Sequence, residues 1–279
     1  LETPALLLKE NTMSPEELVH SAQLQEGLDA LKGQIRDAPT DPHKRFFLFQ
    51  LLSILGRWDQ AMTQLNIAAD LDVNLAMFAH AGRRLLQAEA LREEVFAGRR
   101  TPMILGEPDD WVSAMVQATR LLAQGHTDEA LREREAALEA APARGGRANQ
   151  EPFAWLCDAD ARMGPMLEGV VDGRYYWIPM SNIARVEIEA PSRLRDLVWL
   201  PTTFVWTNEG VSTGFLFTRY PGSHEADDPA IQLARKTEWT DIADGVQIGT
   251  GQRILISDAT DFPILETREI EFAADRGDA

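Results

Sequence analysis

Cysteine is nearly missing: Cys157 stands alone in 279 residues. No intramolecular disulfide can form, and a reducing, cytoplasmic compartment fits this usage. The five histidines (His20, His43, His80, His126, His224) fall at no metal-ligand spacing, and neither H-E-x-x-H nor C-x-x-C occurs, so no bound metal is expected. The phosphate-binding pattern G-x-x-x-x-G-K-[ST] and the dinucleotide pattern G-x-G-x-x-G are both missing. Gly249-Thr-Gly251 lacks a third glycine and reads as a turn, so no cofactor and no small-molecule substrate are expected. No apolar run approaches the ~20 residues of a membrane span, and the opening Leu1-Glu-Thr-Pro-Ala-Leu-Leu-Leu has no basic stretch ahead of a long apolar one, so it does not read as a secretory signal. Positive charge is scarce, with 27 Lys+Arg against 44 Asp+Glu and a net charge of −17. Both halves share the deficit: 16 against 22 up to Asn149, and 11 against 22 beyond it. Such a surface repels phosphate backbones and anionic lipid, which argues against nucleic-acid binding or membrane insertion.

What remains is an ordinary globular composition, 44% hydrophobic and 25% charged, in a chain long enough for two domains. The first half reads as helix. Ser14-Pro15-Glu16-Glu17 combines an N-cap, a proline at the first helical position and a glutamate that completes a capping box. One helix then carries Leu18, Leu24, Leu28, Leu31 and Ile35, ending before Pro39. Further on, Leu52, Gly56, Ala61, Leu65 and Ala68 superimpose on Leu121, Gly125, Ala130, Arg134 and Ala137 with a shift of 69 residues. In tetratricopeptide-like (TPR-like) repeats of about 34 residues a small residue turns the first helix into the second, and another lets the pair pack closely. A shift near two repeat lengths implies a degenerate copy between, with its helix at residues 76–96. Residues 99–110, with two prolines, read as a loop, and residues 143–150, small and polar with paired glycines, read as a linker.

Beyond the linker the patterning changes to period two. Met166–Val171 and residues 174–178 flank Asp172-Gly173, the strongest short hairpin signal there is, because a type I′ turn needs positive φ at both central positions. Residues 184–189 alternate apolar and charged as a half-buried strand does; residues 204–206, 215–217, 253–257 and 264–272 read as further strands, and 227–236 as one short helix. The expected fold class is therefore α+β: a TPR-like α-hairpin array over residues 6–145, then a mostly antiparallel β domain over residues 150–273.

Few residues offer chemistry. Cys157 would need a histidine beside it to act as a nucleophile, and a lone cysteine between apolar neighbours is ordinarily a packed small hydrophobe. Asp158, Asp160 and Arg162 form the densest charged cluster. They would serve either as helix cap and ion pair, or as the site of a hydrolase or transferase. Arg195-Asp196 and Arg219-Tyr220 interrupt apolar stretches, which suits either a buried guanidinium–carboxylate pair or a recognition surface. Tyr175, Tyr176, Trp177, Trp199 and Trp206 are core or an exposed hot spot. A pocket at Asp160 without a counter-charge would favour the enzyme; an open apolar groove along the array would favour an adaptor.

The segments Asp158-Ala-Asp160-Ala-Arg162-Met-Gly164-Pro165, Gly173-Arg-Tyr175-Tyr176-Trp177-Ile-Pro179, Leu194-Arg195-Asp196-Leu197-Val198-Trp199, Arg219-Tyr220-Pro221-Gly222-Ser223, Thr237-Glu238-Trp239 and Gly251-Gln252-Arg253 stand in this order. Together they resemble the ImpE family, also called SciE-type or TagJ, of bacterial type VI secretion, across most of the chain from about Leu6 to Phe272. The resemblance implies a cytoplasmic, non-catalytic protein that binds the small subunit of the contractile sheath through that subunit's N-terminal helix; it assigns no contact residue. In tetratricopeptide arrays the first helix of each pair lines the concave face. By that register the inward positions are His43, Phe46, Phe47 and Gln50, with Val112, Met115 and Thr119 in the later copy. Phe46, Phe47 and Phe49 exceed what one face buries, so at least one is expected to point into the groove. His43, Phe46, Phe47, Gln50 and Met115 are the expected partner-binding residues.

Overall fold

The computed structural model describes residues 13–274; the expected start of the helical region at Leu6 lies outside them. Seven helices come first: α1 (Pro15–His20), α2 (Leu24–Asp37), α3 (Pro42–Ile54), α4 (Trp58–Leu71), α5 (Val73–Phe96), α6 (Asp110–Ala123) and α7 (Thr127–Ala140). Ser14 accepts from the Glu17 N–H and Glu17 reaches back to the Ser14 N–H, closing the expected capping box. The single helix expected next is broken, however. Ala22 takes φ 63°, and α1 folds back on α2, where a Cβ on Gly27 would stand 2.9 Å from Val19. The glycine permits that approach, but no glycine or proline marks the break itself.

The two copies of the repeat close alike. Gly56 and Gly125 take φ +66° and +82°. The Arg57 N–H reaches the Leu52 carbonyl at 2.9 Å, and the His126 N–H reaches the Leu121 carbonyl at 3.0 Å. These bonds satisfy carbonyls that a helix end would otherwise leave unpaired. Ala61 and Ala130 are buried, as are Ala68 and Ala137, so α3–α4 and α6–α7 pack as close hairpins. The intermediate copy is one 24-residue helix, α5, with no second helix; its partner surface is the sheet described next.

The strands are β1 (Met103–Ile104), β2 (Gly146–Ala148), β3 (Glu151–Phe153), β4 (Leu156–Asp158), β5 (Met166–Val171), β6 (Arg174–Pro179), β7 (Ile183–Ile188), β8 (Trp199–Trp206), β9 (Val211–Phe217), β10 (Thr237–Ala243), β11 (Val246–Gly251), β12 (Ile254–Ser257), β13 (Asp261–Pro263) and β14 (Glu269–Phe272). Nine form one sheet in the order β1-β6-β5-β9-β8-β7-β14-β2-β3, while β13-β12-β4 and β10-β11 form small ones. All pairings are antiparallel except β1 with β6. Asp172 and Gly173 take φ 49° and 76°, as the type I′ turn demands.

Several local readings are corrected. The loop at 99–110 contributes β1, and the linker contributes β2, which pairs with β14. Gly249-Thr-Gly251 lies in β11, paired with β10, and not in a turn; glycine stands at 249 because the Tyr220 ring occupies the place of a Cβ, 2.3 Å away. The helix at 227–236 shrinks to α8 (Pro229–Gln232), and 264–272 holds only β14.

Alternation sorts the large sheet into two faces. Met166, Val170, Tyr175, Trp177, Trp199 and Phe217 join one core with Leu51, Leu52, Leu85 and Val112 of the helices. Leu167, Val171, Ile178, Leu200 and Leu216 join a second with Leu255 and Phe262 of the small sheet. The molecule is thus layered as helices, large sheet, small sheet, and one hydrophobic core runs through the helical and β regions together.

Candidate functional site

The centre of the molecule is a buried ionic network between α5 and the sheet. Strand β5 is apolar except for Glu168, and alternation turns that carboxylate toward the helices, where it is fully buried. Burial works against its charge, but Arg92 and Arg253 together hold its pKa below the usual carboxylate value. Arg92 donates to both Glu168 oxygens at 2.7 and 2.9 Å and to the Arg219 carbonyl at 2.6 Å, and lies 3.5 Å from Glu89. Arg253 bridges Glu168 and Asp158. Tyr175 donates to Glu168 at 2.6 Å and is itself held by Trp177 Nε1 at 2.8 Å. Trp199 Nε1 donates to Glu89 at 3.0 Å. Buried charges persist only where paired and hydrogen-bonded, and this network meets that condition.

Arg219 does not find the carboxylate partner expected of it. Its guanidinium donates to the carbonyls of Ile54 at 2.8 Å, Gln232 at 2.6 Å and Ser53 at 3.3 Å, so it caps the C-terminus of α3, where the helix dipole favours a cation. Burial lowers its pKa to about 10. Arg195 does pair with its neighbour Asp196 at 3.3 Å and stacks over the Phe78 ring at 3.6 Å.

The acidic cluster is fully engaged. Asp160 binds Arg162 at 2.8 and 2.5 Å and accepts from the Gly249 N–H at 2.9 Å; burial would raise its pKa, but Arg162 lowers it. Asp158 meets Arg253 and Tyr220, and burial raises its pKa to about 6. Cys157 is half-buried and its thiol is pushed up to about 11 by burial, far from a reactive thiolate. Among the described residues no group of three or more His, Cys, Asp or Glu side chains is placed to hold a metal ion, and no helix is long and apolar enough to cross a membrane.

The residues expected to line a groove are distributed differently. His43 is exposed at the start of α3, and Phe47 is half-buried. Phe46 is buried against Phe49 and Phe78, with centroids 5.4 and 5.6 Å away. Gln50 is buried and accepts from the Arg195 N–H at 3.3 Å. Val112, Met115 and Thr119 are buried too. The inward face of the array is filled by the chain's own β region, chiefly the turn Leu194–Leu197 and the sheet face around Trp199. Of the aromatics, Tyr175, Trp177 and Trp199 are core, while Tyr176 and Trp206 are half-buried.

Sequence reasoning missed Glu168, Glu89 and Arg92. A glutamate inside the apolar run of β5 was the available signal. Glu89 and Arg92 share the buried face of α5 with Leu85 and Leu86, a second signal that no local pattern connects to the first.

The class of protein so defined is an α-hairpin array seated on a mostly antiparallel sheet, with buried ion pairs at the joint. Residues 150–271 match the ImpE protein family. Across 260 residues, 93% of this chain and 91% of the relative, the sequence is 45% identical to a Pseudomonas aeruginosa protein described as type VI secretion system accessory component TagJ. The crystal structure of VPA1032 from Vibrio parahaemolyticus shares the fold with a TM-score of 0.84 at 25% identity, covering 94% of this chain and 98% of that one. The chain belongs to the ImpE family.

Proposed function

We propose that the chain is a non-catalytic accessory protein of a bacterial type VI secretion system, acting in the cytoplasm as an adaptor for the N-terminal helix of the small contractile-sheath subunit. The observation that carries this reading is end-to-end likeness to an accessory component of that system. The geometry of the acidic cluster supports it against the alternative of a hydrolase or transferase at Asp158, Asp160 and Arg162. Asp160 is held by its own guanidinium, and a carboxylate so held is a poor base near neutral pH. Asp158 spends its oxygens on Arg253 and Tyr220.

The test is calorimetric titration of a synthetic peptide covering the N-terminal helix of the cognate small sheath subunit, beside a sheath subunit lacking that helix. Saturable binding of the peptide, and none of the truncated subunit, is the expected result. No heat at peptide concentrations of about 1 mM, where even a weak interface registers, would remove the partner.

A further inference from the structure

The inward face of the array is closed by a piece of chain that is tied mostly to itself. Residues 190–196 run between β7 and β8, and their turn lies against α3. The buried Asp196 gathers them. Its carboxylate accepts from the N–H groups of Ser192 at 2.9 Å and Arg193 at 2.8 Å and from the Ser192 hydroxyl at 3.2 Å, and it pairs with the Arg195 guanidinium at 3.3 Å. The Asp196 N–H closes the turn on the Arg193 carbonyl at 2.9 Å. Both ends are fixed to the sheet: the Glu189 N–H reaches the Pro201 carbonyl at 3.0 Å, and the Leu197 carbonyl accepts from the Thr218 hydroxyl at 2.6 Å. Toward the helices the hold is thin. Among the described residues one hydrogen bond joins 190–196 to the array, from the Arg195 N–H to Gln50 Oε1 at 3.3 Å, which is long for such a bond. Beside it the Arg195 guanidinium carbon stands 3.6 Å from the Phe78 ring centroid, and Leu194 packs half-buried on the core. Residues 190–193 are exposed.

We infer that residues 190–196 are a displaceable internal ligand, and that the face beneath them is a peptide-binding site for a turn that offers a backbone N–H to Gln50 and an arginine to Phe78. The segment is preorganised, so it can swing out on its two fixed ends as one unit without losing the bonds that shape it. What it uncovers has a definite chemistry. Phe78 rests on Phe46 and Phe49, with centroids 5.6 and 6.0 Å away, so its ring is presented on a rigid aromatic floor. A flat guanidinium is the cation that stacks best on such a ring. Gln50 is buried, and its carbonyl would be stranded at a cost if nothing donated to it. The face therefore exchanges one donor for another rather than standing empty, and residues 190–196 themselves show what fits. This site is independent of the sheath reading, and either can fail while the other stands.

The probe is a fluorescein-labelled synthetic peptide of residues 190–198, titrated by anisotropy against the full chain and against Leu194→Ser/Arg195→Ala, with Tm on each. Both altered side chains are half-buried, so the double variant should stay folded with its own segment loosened. It should bind the peptide saturably. Wild type should bind at least about tenfold more weakly, because only the fraction with its segment displaced is competent. Arg195→Ala in the peptide, or Gln50→Leu added to the double variant, should remove the gain. A folded double variant that binds no peptide, equal binding by wild type and double variant, or equal binding of the Arg195→Ala peptide would each overturn the inference. Should the double variant not fold, brief trypsin digestion of wild type decides. Cleavage after Arg193 or Arg195 at a rate unmoved by low urea is the mark of local opening and is the expected result. Cleavage there that rises with urea alongside global unfolding would make the segment part of the core and overturn the inference.

Discussion

Replacing Arg92 with methionine keeps an unbranched apolar stem in place of one whose guanidinium carbon lies 4.5 Å from the Phe217 ring centroid. It deletes the charge. Glu168 then loses two of its four donors, keeping Arg253 and Tyr175, while Glu89 keeps only Trp199. Both carboxylates are buried, and removing one member of a buried pair costs about 3–5 kcal/mol because the other is stranded. Against a typical total of about 5–15 kcal/mol, Arg92→Met should sharply lower the urea midpoint. Glu168→Met should do the same, since it strands Arg92 and Arg253. The double variant should lose well below the sum of the two, giving a coupling energy of about 1–3 kcal/mol for side chains in direct contact. Helix dichroism and tryptophan fluorescence should report one transition, because Trp177 and Trp199 lie in the core shared by helices and sheet. A loss under about 1 kcal/mol for Arg92→Met, strict additivity, or two separated transitions would refute the account of the network as the joint of the fold.

Gly56→Ala should fail twice over, since φ is +66° and a Cβ would stand 2.1 Å from His224; thermal melting should show a larger loss than Gly125→Ala, where the φ is also positive but no atom lies within 4 Å. Phe46→Ala should cost about 3–5 kcal/mol of stability, and peptide titration of whatever remains folded should show unchanged affinity if Phe46 serves only the core. Acid sensitivity should divide between two groups. Burial lowers the His224 pKa from 6.5 to about 4, so its contribution is present above 6.5 and is lost as the pH falls toward 4. Asp158, raised from 3.8 to about 6, runs the other way: its contribution is present below 3.8 and is lost as pH rises through 6. In Tm series between pH 4 and 7, His224→Asn should therefore flatten the acid-side decline and Asp158→Asn should steepen it. Slopes equal to wild type in both would reject the assignment.

The parts of this fold legible in the sequence were those that one residue or one short pattern dictates. Asp172-Gly173 forces its turn; Gly56 and Gly125 end their helices because left-handed backbone is cheap only there; Ser14 and Glu17 satisfy each other. The break at Ala22 was invisible because an alanine in that conformation is imposed by the packing of α1 on α2. The candidate site was legible only in fragments. Asp160 and Arg162 are near neighbours, whereas Arg92 and Glu168 are separated by 76 residues and Glu168 and Arg253 by 85, and no periodicity links them. Of the positions that a tetratricopeptide register turns inward, Phe46, Gln50, Val112, Met115 and Thr119 are buried, whereas His43 is exposed and Phe47 half-buried. That register could not reveal that the chain's own Leu194–Leu197 turn and Trp199 would occupy the inward face.

The parallel strand β1 bears on the order in which the molecule can be made. Met103 and Ile104 leave the ribosome long before Tyr176 and Trp177, the residues they pair with. When the β5–β6 hairpin emerges, the strip that covers its outer side is therefore already waiting, held between α5 and α6. A nascent hairpin so received has part of its β6 edge covered from the start, while its β5 edge waits for β9. Residues 150–271 produced alone would lack both that strip and the helices over Trp177 and Trp199, and light scattering of such a fragment should show it aggregating where the whole chain stays dispersed.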